Sequence, residues 1–124
     1  MDQKINSTLQ QADLFLNNAQ NELCKPEEDV VPYGIFKNAH NAIVNYLSAY
    51  LMRNGREVPA SHTVEELLSF CREVNPQLKE LHLAPFYHPT DTEDVWMNLD
   101  AAHDFYKMAE KTREMTQPTF ISNS

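Results

Sequence analysis

Two residues near the middle of the chain pair a proton-moving group with an anion-holding one. Arg56 and His62 are separated by five residues, Glu57, Val58, Pro59, Ala60 and Ser61. An imidazole moves protons near neutral pH, and a guanidinium holds a phosphate and stabilises the charge that develops on it. Arg53 adds a second positive charge close by. Two milder uses of the same stretch stand beside this one. Arg53, Arg56 and His62 would bind an anion if they converged near the free N–H groups that open the next helix. His62 would also serve simply as a packing residue just outside that helix's cap.

Other constellations offer less. Asp100-Ala101-Ala102-His103 matches the carboxylate-x-x-His spacing of di-iron bundles, but those sites need a second copy and two further carboxylates, so no metal is expected. His82 and His88, with Asp91, Glu93 and Asp94, form a loose ligand-rich patch whose spacing fits no closed metal geometry. His40, at the edge of an apolar stripe, reads as a hydrogen-bonded packing histidine. Tyr46, Tyr50, Trp96, Phe105 and Tyr106 read as core or interface aromatics. Cys24 and Cys71 lack a Cys-x-x-Cys spacing and are expected to be buried free thiols. Ser61 beside His62 lacks the strand-turn-helix context of a nucleophile, and no glycine-rich phosphate loop occurs, so no cofactor is expected.

The elements that position Arg56 and His62 are legible. Ile35, Phe36, Ala39, Ala42, Ile43, Tyr46, Leu47, Tyr50 and Leu51 recur at three- and four-residue steps, giving one apolar stripe on a long helix. Asn54-Gly55 stops it and Pro59 prevents easy continuation. Thr63 with Glu66 three residues on is a capping box, which starts the next helix through Val64, Leu67, Leu68, Cys71 and Val74. Upstream, Ile5, Leu9, Ala12, Phe15, Leu16, Ala19 and Leu23 share one face of a first helix over Asp2 to Leu23, with Leu14 pointing away. The acids of Lys25-Pro26-Glu27-Glu28-Asp29 are expected to favour the N-terminal end of the second helix.

Asn75-Pro76 interrupts the third helix, and a short helical piece through Leu78 and Leu81 follows. Residues 84–89 carry two prolines and two aromatics, which cannot form regular helix but can pack on the bundle. The last helix, capped by residues from Thr90 to Asp94, has Val95, Leu99, Ala102, Phe105, Tyr106 and Ala109 on its inner face. Pro118 onward is expected to fray.

With 124 residues, 42% of them hydrophobic and 23% charged, the chain makes one globular domain. Only two glycines and no sustained β-branched alternation leave an all-α class, an up-and-down antiparallel bundle of four to five helices over 1–116 with a tail at 117–124. No apolar run is long enough to span a membrane and no signal-peptide core follows Met1, so a cytoplasmic location is expected. Eighteen acids against ten bases, a net charge of −8, oppose diffuse attraction to nucleic acid, so any such contact needs a local basic pocket.

The run Ala39-His40-Asn41-Ala42, then Tyr46 to Leu51, Asn54-Gly55, Val58 to Thr63 and Leu67-Leu68 resembles the centre of a HEPN domain, and the flanking helices fit as well. The resemblance implies an up-and-down helical bundle, usually a homodimer. It also implies a nucleotide- or nucleic-acid-associated binding protein, often the partner of a minimal nucleotidyltransferase in a toxin–antitoxin-like pair. Ribonuclease members of that family use an Arg and a His four to six residues apart, which makes metal-independent RNA cleavage by Arg56 and His62 the alternative. In those members, however, the pair lies later in the bundle. A purely structural adaptor without a ligand is the third reading.

Overall fold

The computed structural model describes residues 2–58, 62–87 and 99–117. Four α-helices occur among them: α1 (Asp2–Leu23), α2 (Pro32–Arg53), α3 (Val64–Val74) and α4 (Leu99–Thr116). Short 3-10 turns at Glu27–Asp29, Pro76–Glu80 and Ala84–Phe86 join or flank them, and no strand is present among the described residues. The all-α bundle expected from the pattern is the one formed. The residues proposed to cap the last helix, Thr90 to Asp94, together with Val95, Trp96 and the tail from Pro118, lie outside the described residues.

The central element is α2. Its residues Ile35, Ala39, Ala42, Ile43, Tyr46, Leu47 and Leu51 are fully buried, because α1, α3 and α4 all pack on it. Tyr46 reaches Asp13 near the middle of α1, while Val31, just ahead of α2, is held by Glu22 near α1's end. Those pairings make α1 and α2 antiparallel. Arg113 also meets Asp13, and Ala102 clusters with Ala19, so α4 runs antiparallel to α1 and parallel to α2. These three helices alternate as an up-and-down bundle requires.

One expectation about the α1–α2 corner needs correction. The acids Glu27, Glu28 and Asp29 do not occupy the first turn of α2; they form their own exposed 3-10 turn, and α2 begins only at Pro32. The carboxylate that serves this start is Glu22, which accepts a 2.8 Å hydrogen bond from the Val31 N–H and a 3.0 Å ion pair from Lys25. Those contacts hold its carboxyl below the ordinary range, the backbone hydrogen bond contributing most. Proline is well placed at the first helical position, where its missing N–H costs nothing.

The proline-rich connection packs inward through Phe86, which is fully buried. Its ring stacks on Phe36 at 5.1 Å and meets the edge of Phe105 at 5.4 Å, closing an aromatic cluster between α2 and α4. His40 lies beside this cluster, half-buried, 6.2 Å from Phe86 by ring centroids. Burial holds its imidazole below the ordinary histidine range, opposed by a side-chain hydrogen bond with Asn41. His40 is thus the packing histidine that its place on the stripe implies.

Candidate functional site

The segment carrying Arg56 is fixed by the way α2 ends. Gly55 takes φ 75°, the left-handed conformation that favours glycine. The Arg56 N–H then donates to the Leu51 carbonyl at 2.8 Å and the Gly55 N–H to that of Met52 at 3.0 Å. This doubly bonded Schellman stop satisfies carbonyls that the helix would otherwise orphan. Beyond it, the Arg56 guanidinium donates to the Glu73 carboxylate at 3.0 Å.

The segment carrying His62 is fixed by the start of α3. The Glu66 N–H donates to the Thr63 hydroxyl at 3.1 Å and the Thr63 N–H to the Glu66 carboxylate at 3.0 Å, the reciprocal capping box read from the sequence. His62 sits half-buried immediately before that cap. Glu73, which holds Arg56, belongs to the last turn of the same helix. At about 1.5 Å rise per residue, the ten steps from Thr63 to Glu73 span roughly 15 Å. The guanidinium is therefore engaged at the end of α3 opposite the one His62 precedes.

Arg53 points a third way. Its Nη1 lies 3.4 Å from the Thr116 carbonyl at the C-terminal end of α4, where helix carbonyls lack partners and positive charge is favourable. Between these fixtures lies a cleft of about 380 Å³, lined by Lys4, Met52, Gly55, Arg56, Glu57 and Val58. Of the three residues expected to share a site, the described contacts hold Arg53 to α4 and Arg56 to the end of α3.

A second polar junction joins α1, α2 and α4. The Tyr46 hydroxyl, on a side chain with no exposure, donates to Asp13 Oδ1 at 2.5 Å. The same oxygen receives Arg113 Nε at 3.3 Å, so one carboxylate ties α1 to both α2 and α4. Burial and the neighbouring carboxylate push the Tyr46 hydroxyl well above the ordinary tyrosine range, which keeps it a donor. Alongside lies a cleft of about 360 Å³ between α1 and α4 that includes Asp13, Tyr106, Glu110 and Arg113. The available sign was Asp13 itself, a carboxylate four residues from Leu9 and three from Leu16, hence at the rim of an apolar stripe.

The remaining sequence candidates resolve simply. Asp100 and His103 are both exposed at the start of α4, and among the described residues no group of three His, Cys, Asp or Glu side chains could hold a metal. His82 is exposed, while His88, Asp91, Glu93 and Asp94 lie outside the described residues. Cys71 is buried as expected, and its Sγ lies 3.6 Å from the Leu47 carbonyl. Burial outweighs the nearby Arg56 charge and pushes its thiol up to about 12. Cys24, by contrast, is exposed, just past the end of α1.

The model of the HEPN domain matches residues 5–118, nearly the whole chain. The protein belongs to the HEPN family. No curated protein and no solved structure matches it. HEPN membership ties the chain to nucleic-acid-related function in general. None of the described helices of this HEPN protein is long and apolar enough to cross a membrane.

Proposed function

We propose that this HEPN protein is a non-catalytic binding module of the cytoplasm. In this reading it associates with a nucleotide or nucleic acid and assembles with a minimal nucleotidyltransferase in a toxin–antitoxin-like pair. The observation that carries the non-catalytic part is the Arg56–Glu73 ion pair. Phosphoryl-ester cleavage needs the proton-moving imidazole and the phosphate-holding guanidinium on the same reacting group. Here the guanidinium is paired with a carboxylate at the far end of α3 from His62, an arrangement suited to holding the loop. The alternative, metal-independent RNA cleavage by Arg56 and His62, requires Arg56 to leave Glu73 first.

Assembly into a homodimer or with the nucleotidyltransferase is supported by the apolar side chains left outside the bundle. Leu14 is 51% exposed, Val31 55% and Tyr33 42%. Such residues are natural contact points when they gather at an interface.

Two measurements test the proposal. Co-expression with the product of the neighbouring gene should yield a complex that survives size-exclusion chromatography, and sedimentation should give a dimer of the protein alone. A nucleotide at one hundred times its dissociation constant should stabilise the fold by about 2.7 kcal/mol. A monomer that neither binds a partner nor shifts its unfolding with any nucleotide would overturn the binding-module proposal.

A further inference from the structure

A cleft on a different part of the bundle has the makings of a ligand site. It lies between α4 and the segment that follows the 3-10 turn Pro76–Glu80, with a volume of about 320 Å³. That is the lower end of the range for small-molecule pockets. Its lining divides by chemistry: Leu81 and Met108 are apolar, Lys107, Lys111 and His82 carry N–H donors, and Glu80 and Asp104 carry acceptors.

The wall that presents His82 is rigid. Leu81 and Leu83 on either side are buried, so their anchoring turns His82 outward. Behind them, the Arg72 guanidinium donates to the Leu78 carbonyl at 3.2 Å and the Leu81 carbonyl at 2.7 Å. Charge-assisted bonds of this kind hold a loop firmly. Opposite, Lys107 and Lys111 stand one helical turn apart on α4 and so face the same way. Among the described residues neither ammonium forms an ion pair, although Asp104 and Glu80 line the same cleft.

Three other clefts lack this feature. The cations lining two of them are committed in part or whole: Arg113 pairs with Asp13 in one, and Arg56 with Glu73 in another, leaving Lys4 as the second basic residue there. The third combines Glu65 and Glu66 with Arg72, which is turned toward backbone carbonyls. On a chain of net charge −8, two ammoniums in one concave site with no ion pair among the described residues make a local concentration of positive charge.

We propose that the cleft between Glu80–His82 and Lys107–Lys111 binds a small sugar phosphate. The phosphoryl group sits on Lys107 and Lys111 with His82 beside it, the sugar hydroxyls donate to Asp104 and Glu80, and the carbon skeleton lies over Leu81 and Met108. Each part of the ligand meets the lining group that its chemistry requires: charge-assisted bonds for the phosphate, anionic acceptors for hydroxyls and apolar contact for carbon. The proposal does not use Arg53, Arg56 or His62, so it stands or falls separately from the function proposed above.

The test is a backbone amide titration of the full chain by heteronuclear NMR with ribose 5-phosphate, inorganic phosphate and ribose in separate arms. Ribose 5-phosphate should give saturable shifts confined to residues 80–82 and 104–111 and bind more tightly than either fragment. Lys107→Ala and Lys111→Ala, at exposed positions and with circular dichroism as the check that each variant is folded, should each weaken it about tenfold. Asp104→Asn should reduce the preference for ribose 5-phosphate over inorganic phosphate. No saturable binding would overturn the proposal, as would shifts centred elsewhere or equal affinity for ribose 5-phosphate and phosphate.

Discussion

Replacing Tyr46 by Phe removes one oxygen from the interior and leaves every carbon contact in place. The lost bond is the one Tyr46 donates to Asp13, at 2.5 Å. A hydrogen bond to a charged group contributes about 1.5–3 kcal/mol. Here the acceptor keeps Arg113, and its side chain is 46% exposed, so water readily takes the vacated place. That hydration brings the expected loss below this range, to about 1 kcal/mol, or a fall of about 4 °C in Tm for a chain of this size. Asp13→Ala is the more damaging change, because it strands a hydroxyl on a side chain with no exposure. That costs about 2 kcal/mol. Arg113→Ala should cost less than 1 kcal/mol and depend on salt, since the Arg113 and Asp13 side chains are about half exposed. Urea denaturation followed by circular dichroism gives all three, and the double variant Tyr46→Phe/Asp13→Ala should cost less than the sum of its parts. A neutral Tyr46→Phe, or strictly additive losses, would refute the view that this carboxylate ties the three helices.

Three further outcomes are expected. A thiol reagent should modify one cysteine of the native protein, Cys24, and two after unfolding, because Cys71 is buried with its thiol pushed up to about 12; rapid native labelling of both would contradict this. His40 is held below the ordinary value of 6.5 by burial, so the unfolded chain takes up its proton first and stability falls as pH drops through about 6.5. The slope due to this residue is at most about 1.4 kcal/mol per pH unit, and it should vanish in His40→Phe, which keeps a ring beside Phe36 and Phe86. Gly55→Ala should cost about 1 kcal/mol, since φ 75° strains any residue with a Cβ even though nothing lies within 4 Å of one placed there; an unchanged denaturation midpoint would argue against that stop.

What the sequence made legible was whatever repeats or punctuates. The α1 stripe, the Gly55 stop, the Thr63–Glu66 box and the break at Pro76 are local signals, and each lies where its spacing put it. Contacts between elements left no such trace. Nothing in the spacing of Arg56 and Glu73, or of Asp13, Tyr46 and Arg113, announces that they meet, because those pairings depend on how helices cross. The acids after Pro26 misled for a related reason. Their position suggested service to α2, whereas Glu22, within α1, reached across the corner to Val31. The same limit applies at Arg56: its spacing from His62 suggested a pair, and the contact with Glu73 at the other end of α3 left no trace in the sequence.

The most direct test of the binding-module account is incubation of the purified protein with single-stranded RNA in the presence of a chelator, beside His62→Ala and Arg56→Ala. The account predicts the same background in all three, with no cleavage that depends on either side chain. Cleavage by the wild-type chain that both substitutions abolish, while each variant keeps its fold, would contradict it and establish the ribonuclease reading instead.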